Sequence, residues 1–89
     1  ETDDAYILIN ASGALSRVAE DFPAAVEPLT PALIELLDDD DPIVRENACW
    51  GLGHLSAEDA TARLEECAID DKNSDVRSRA SWALTQIRQ

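Results

Sequence analysis

The sequence predicts an all-α solenoid of stacked antiparallel helix pairs with about five helices, and three observations carry that prediction. First, Asp41-Pro42-Ile43-Val44-Arg45-Glu46-Asn47-Ala48-Cys49-Trp50-Gly51-Leu52 returns 32 residues later as Asn73-Ser74-Asp75-Val76-Arg77-Ser78-Arg79-Ala80-Ser81-Trp82-Ala83-Leu84, with Val-Arg, Ala, Trp and Leu at matching positions. Second, the apolar residues of both copies fall at helical spacing. Third, no stretch alternates with period two, so no strand is expected. A helix pair of this size cannot bury both of its faces alone, whereas stacked neighbours can.

The elements follow in order. A fainter copy of the repeated segment, Asp4-Ala5-Tyr6-Ile7 leading into Asn10-Ala11-Ser12-Gly13-Ala14-Leu15, lies 37 residues upstream and predicts a leading helix over about residues 1–20. Five extra residues around the Pro-containing stretch Phe22 to Pro31 account for the longer spacing. Pro28 and Pro31 break the second helix, leaving a short turn from Pro23 and a main segment from Pro31 to Asp38. Thr30-Pro31 and Asp41-Pro42 each offer a side-chain acceptor at the N-cap with Pro at the first helical position.

The third helix carries Val44, Ala48, Gly51/Leu52 and Leu55 on one stripe. Ser56-Ala57-Glu58-Asp59 resembles a capping box that opens the fourth, which runs over Ala57 to Ile69. The fifth repeats the stripe as Val76, Ala80, Ala83/Leu84 and Ile87. Residues 1–89 thus read as one domain of about two and a half repeats: a half repeat over 1–20, then repeats over 21–55 and 56–89. The chain does not open on Met, which suggests a piece of a longer array.

Charge narrows the function. Nineteen Asp and Glu stand against seven Lys and Arg, a formal charge of −12. Nucleic-acid binding needs a basic face to displace condensed counterions, and anionic membranes repel the same sign, so neither partner is expected. No apolar run is long enough to span a bilayer, and no basic-then-apolar signal opens the chain. The expected setting is cytoplasmic. Leu, Ile, Val and Phe total 21, Ala contributes 14, and Asp outnumbers Glu 11 to 8 while only one Lys is present. That Asp-rich, Lys-poor balance resembles proteins of halophilic organisms, whose surfaces remain hydrated where salt screens charge. The competing reading is an acidic surface serving a cationic partner.

Leu33 to Leu37, then Asp38-Asp39-Asp40-Asp41-Pro42-Ile43-Val44-Arg45, then Ala48 and Gly51-Leu52-Gly53-His54-Leu55 resembles the HEAT repeat, in particular the HEAT-like repeats first named for phycobilisome lyases. The pattern is an apolar first helix, an Asp-containing turn, Val-Arg opening the second helix and an Ala-Leu-Gly run within it. The second copy keeps Asp71, Val76-Arg77 and Ala83-Leu84 but has Thr85 where the Gly falls, and the leading copy has Ile7-Leu8 in place of Val-Arg. The resemblance implies a right-handed α-α superhelix of the armadillo-like kind and a ladder of ion pairs between repeats. The matching residues are Asp39 with Arg45 and Asp71 with Arg77, either paired or solvated. An Arg fork would tie the turn to its helix in two parallel bonds.

Trp50 and Trp82 are the leading candidates for partner binding. Each lies about 160° from the mean of its own apolar stripe on a helical wheel. In such a solenoid second helices line the concave surface, where a row of Trp with Asn47, His54, Arg79 and Gln86 beside it could anchor a partner helix or extended peptide. The alternative is that each Trp packs against the adjacent repeat; a terminal Trp82 would then be unusually exposed.

Catalytic chemistry has little to draw on. His54 is the only His, so no two-His metal site forms within the chain, and the His-Glu pairs of HEAT-like metal hydroxylases are missing because Leu55 follows it. Asp38 to Asp41 lacks the alternating ligands and mid-loop Gly of a calcium loop. Cys49 and Cys67, with 17 residues between them and no Cys-x-x-Cys spacing, read as free thiols rather than a disulfide, metal site or bilin attachment. No catalytic residue, metal or cofactor is therefore assigned. The expected function is a protein-interaction scaffold, monomeric or weakly dimeric end to end, with an unidentified protein or peptide partner. A bilin lyase-like enzyme or enzyme accessory domain is the alternative, and lesion recognition on DNA a third reading that only Arg17, Arg79 and Arg88 could serve.

Overall fold

The computed structural model describes residues 2–89 as backbone and residues 6–89 with their side chains. In chain order the helices are α1 (Thr2–Asp21), α2 (Pro23–Val26), α3 (Thr30–Leu36), α4 (Pro42–His54), α5 (Thr61–Asp70) and α6 (Ser74–Ile87), with single 3-10 turns at Glu27–Leu29 and Glu58–Ala60. The described residues are all helix and connecting turn, the all-α architecture expected. As expected, the Pro-rich stretch becomes a short helix and a 3-10 turn rather than one long element, because Pro28 and Pro31 lack the N–H groups a continuous ladder needs.

α4 lies between α1 and α6, while α3 packs on α4 and α5 on α6; α3 and α5 hardly touch one another. The second helices thus form a close layer and the first helices a splayed one, the arrangement of a curved solenoid. The molecule measures 38 × 30 × 17 Å, and its short dimension is two helix layers.

Val26, Leu33, Val44, Leu52, Leu64 and Val76 fill the core, all at most 2% exposed. Ala48, Ala60, Ala80 and Ala83 are fully buried between them. This explains how so few large apolar residues suffice: small side chains let the helices approach closely, so burial comes from proximity.

Two contacts set the register of the second-helix layer. A Cβ on Gly53 would stand 3.0 Å from Ala83 Cα and closer still to the Trp82 ring, and a Cβ on Gly51 would stand 2.9 Å from Ser16 Oγ. Offsets of 37 and 32 residues carry the Ser16–Gly51 contact onto Gly53–Ala83. α1 therefore meets α4 as α4 meets α6. The layer is also tied by Ser16 Oγ donating to the Asn47 carbonyl and by Asn47 Nδ2 donating to Ser12 Oγ at 3.2 Å and to Ile9 O at 3.4 Å.

The helix starts at the inter-helix turns are capped. Asp41 Oδ1 accepts the Ile43 N–H at 2.8 Å, and Asn73 Oδ1 accepts from Asp75 and Val76. Two expected caps are corrected. Thr30 is already helical, continuous with the 3-10 turn before it, and its hydroxyl donates to Glu27 O at 2.7 Å instead of accepting an N–H. Ser56 closes α4 rather than opening a capping box. With φ of 50° it stands in the left-handed region, Ser56 N–H bonds Gly53 O and Ala57 N–H bonds Leu52 O, both at 3.1 Å, which is a Schellman ending.

Candidate functional site

On the second-helix layer four of the six side chains expected to bind a partner, Trp50, His54, Arg79 and Trp82, come together as one stack. Arg79 from α6 projects between two indoles, its Cζ 5.6 Å from the Trp50 centroid and 5.5 Å from that of Trp82. His54, one turn beyond Trp50, meets Trp82 edge-on at 5.0 Å and lies 6.1 Å from Trp50. Glu46 reaches Arg79 Nη2 at 3.6 Å. Spacing explains the assembly: Trp50 and His54 are four apart on α4, Arg79 and Trp82 three apart on α6, so each pair shares a helix face. Cation–π contact of this kind orders a guanidinium that would otherwise swing freely.

The two indoles differ in their surroundings. Trp82 packs against the core over Gly53, whose missing Cβ leaves the ring its seat. It is half-buried. Trp50 is also half-buried but turns toward α1, where it borders a groove of about 650 Å³ with Asn10, Gly13, Arg17, Asn47 and Phe22. Sequence reasoning missed this groove, although the lack of a side chain at Gly13 and the smallness of Ala14 were its signals. Asn47 lines it yet is held by the α1 contacts above, and Gln86 lies one turn past Trp82, half-buried and outside the ring stack.

A second cluster lies at the inter-helix turns. Arg45 Nε and Nη2 donate to the two carboxylate oxygens of Asp71 at 2.9 and 3.0 Å, while its Nη1 donates to the carbonyls of Asp39 and Asp40. Arg77 Nη1 repeats the latter contact on Asp71 O at 2.7 Å. The carboxylate partner of Arg45 is thus Asp71 of the next repeat, not Asp39 six residues before it, and Arg77 bonds the Asp71 carbonyl rather than its carboxylate. The physical reason is that each turn Asp folds back on its own loop, Asp39 accepting the Asp41 N–H and Asp71 the Asn73 N–H at 2.9 Å, so the carboxylate points away from its own helix.

With side-chain exposures of 16% and 8%, the Arg45–Asp71 bridge is largely shielded. Burial alone would raise the Asp71 carboxyl, but the Arg45 bonds, the Asn73 N–H and the charges of Arg45 and Arg77 outweigh it and hold the group below the usual carboxylate range. The same bond raises Arg45 further. This cluster joins repeats.

Cys49 is fully buried and Cys67 half-buried, both as free thiols. The neighbouring Cys67 side chain, together with burial, pushes the Cys49 thiol up, while the Cys49 side chain draws Cys67 down against the effect of its own burial. Among the described residues no group of three or more metal-ligating side chains forms, and no described helix is long and apolar enough to cross a membrane.

Comparison with curated proteins and with solved structures returned no match. A family model described as HEAT repeats matches residues 2–85, nearly the whole chain. Together with the paired helices, the shared register and the Arg-clamped turns, this establishes that the chain belongs to the HEAT repeat family.

Proposed function

We propose that this HEAT repeat protein is a non-enzymatic scaffold that receives a partner helix or peptide along its second-helix surface, with Trp50 as the anchor and Trp82 as its structural support. HEAT repeats generally mediate protein–protein interaction. The observation that carries the finer reading is the asymmetry of the stack: Trp82 is seated on Gly53 and the core, whereas Trp50 borders the groove along α1. A rigid, half-exposed indole held by a stacked Arg suits a hot spot, since its ordering cost is met before binding.

Free thiols favour a reducing cytoplasm. The Asp-rich composition favours a salt-adapted source, and the phycobilisome-lyase type of repeat remains a matter of sequence resemblance alone. We assign no lyase chemistry, because nothing in the stack pairs a nucleophile with a base.

The test compares Trp50→Ala with Trp82→Ala. A binder is first isolated by affinity capture from the source cell and its affinity measured with purified components. Trp50→Ala is expected to keep its helicity and thermal midpoint while weakening that affinity at least tenfold, about 1.4 kcal/mol. Trp82→Ala is expected to lower stability by about 2–3 kcal/mol, toward the low end of a buried aromatic truncation. Unchanged affinity in Trp50→Ala would sink the anchor assignment.

A further inference from the structure

One face of α5 meets the preceding repeat at three points, and the middle point is a pair of thiols. Arg63, Cys67 and Asp71 follow one another at four-residue spacing, so they form a single row along α5 and just past its end. Arg63 donates to Asp38 in the turn after α3, and Asp71 accepts the Arg45 fork from the start of α4. Cys49 stands one turn beyond Arg45, and Cys67 one turn before Asp71. α4 and α6 run parallel, since Glu46 meets Arg79 and His54, further along, meets Trp82. α5 runs against α6, Glu65 meeting Arg88, so α5 and α4 are antiparallel and the two one-turn steps reach the same level.

The two thiols are unequal. Cys49 is fully buried in the core, and Cys67, half-buried, packs against the same cluster. Cys49, then Arg63 and Arg45, draw the Cys67 thiol down against burial and Asp71, whereas Cys67, burial, Asp71 and Glu46 push Cys49 up. One sulfur is reachable and readily ionised and the other is sheltered and protonated, the division between an attacking and a resolving cysteine. α5 packs on α6 and hardly on α4 or α3, so ion pairs rather than helix packing hold this side of the junction. That loose fit lets α5 bring the two Cβ atoms to the separation of about 4.5 Å or less that a disulfide needs.

We propose that Cys49 and Cys67 form a reversible disulfide when a low-molecular-weight disulfide is in excess, and that the bond locks α5 onto α4 across the junction between repeats. The Cys67 thiolate attacks one sulfur of the small disulfide, forming a mixed disulfide and releasing a thiolate. Cys49 then attacks the Cys67 sulfur, its proton passes to solvent or to the released thiolate, and the second small thiol leaves. Two protein thiols are oxidised to one disulfide, and one small disulfide is reduced to two thiols. Excess small thiol reverses both steps, so a reducing compartment holds the pair open. The closed bond fixes the angle between repeats on the first-helix side, where otherwise only the ion pairs resist opening. It does not depend on the Trp50 reading.

Oxidised glutathione, titrated against reduced glutathione on the whole chain at neutral pH with intact mass as the readout, tests it. The wild type is expected to lose two hydrogens without gaining glutathione, to regain them in excess dithiothreitol, and to melt about 10 °C higher when oxidised. Cys49→Ser should stop at one glutathione adduct on Cys67, and Cys67→Ser should take up none under the same conditions. If circular dichroism shows Cys49→Ser to be unfolded, Cys49→Ala serves in its place with the same expected adduct. A wild type that stays reduced in excess oxidised glutathione, stops at the adduct, links only between chains or melts no higher when oxidised overturns the proposal. Equal uptake of glutathione by the Cys49 and Cys67 variants overturns it too.

Discussion

At Asp71 three contacts converge on one residue. Its two carboxylate oxygens accept the Arg45 fork, one of them also accepts the Asn73 N–H, and its carbonyl holds Arg77. A carboxylate whose folded pKa lies below its unfolded value of about 3.9 contributes its full stability above that value and loses it as pH falls through the folded pKa. The loss should therefore begin below about pH 5 and continue beneath pH 4. Urea unfolding at a series of pH values should show this slope in the wild type and a shallower one in Asp71→Asn; equal slopes would mean that the bridge does not set the acid limit. The two equivalent arginines should differ as well. Arg45→Ala removes four hydrogen bonds and strands a shielded carboxylate, for a loss of about 3 kcal/mol. Arg77→Ala, with one bond to a backbone carbonyl, should cost about 1 kcal/mol.

Within α4, helix propensity and packing oppose each other at Gly53. Ala there would favour the helix by about 1 kcal/mol. Its Cβ, however, would overlap the Trp82 ring and stand 3.0 Å from the Ala83 backbone, and overpacking of that kind costs about 1–3 kcal/mol. Packing wins because the backbone of α6 cannot move without disturbing its contact with α5, so Gly53→Ala is expected to lower the thermal midpoint and perturb Trp82 fluorescence. A raised midpoint would show that α6 yields. The equivalent residue of the second copy, Thr85, is exposed, and no described helix packs over it. The paired stripes and the Asp41 cap were legible in the sequence because helix period and cap chemistry are local. The reach of Arg45 to Asp71 was not, since the 32-residue repeat offers each Arg two turn carboxylates and only the stacking of repeats decides between them. Thr30 and Ser56 were misread for the converse reason: a hydroxyl that suits an N-cap also donates to a preceding carbonyl or tolerates a left-handed ending, and the backbone path makes the choice.

Across the molecule, the acids are segregated as well as numerous. Asp38, Asp40, Glu58, Asp59, Glu65, Glu66, Asp70 and Asp75 lie exposed on the turns, on α5 and at the start of α6, and Glu20, Asp21, Glu27 and Glu35 are exposed from the end of α1 to α3, while residues 5–19 of α1 have none. Such a surface repels itself, and the repulsion opposes a fold only 17 Å thick, in which charges on one layer lie near those on the other. Added salt shortens the screening length from about 10 Å at 0.1 M to about 3 Å at 1 M, which weakens this many-body repulsion far more than it weakens the shielded Arg45–Asp71 bridge at contact distance. Exposed pairs such as Arg88 with Glu65 lose strength too, but each is worth less than about 1 kcal/mol and they are few against nineteen acids. The balance predicts a thermal midpoint, followed by circular dichroism, that climbs steadily from low salt to molar KCl. A midpoint that stays level or falls would remove the physical basis for a salt-adapted protein and return the acidic surface to the alternative role, recognition of a cationic partner.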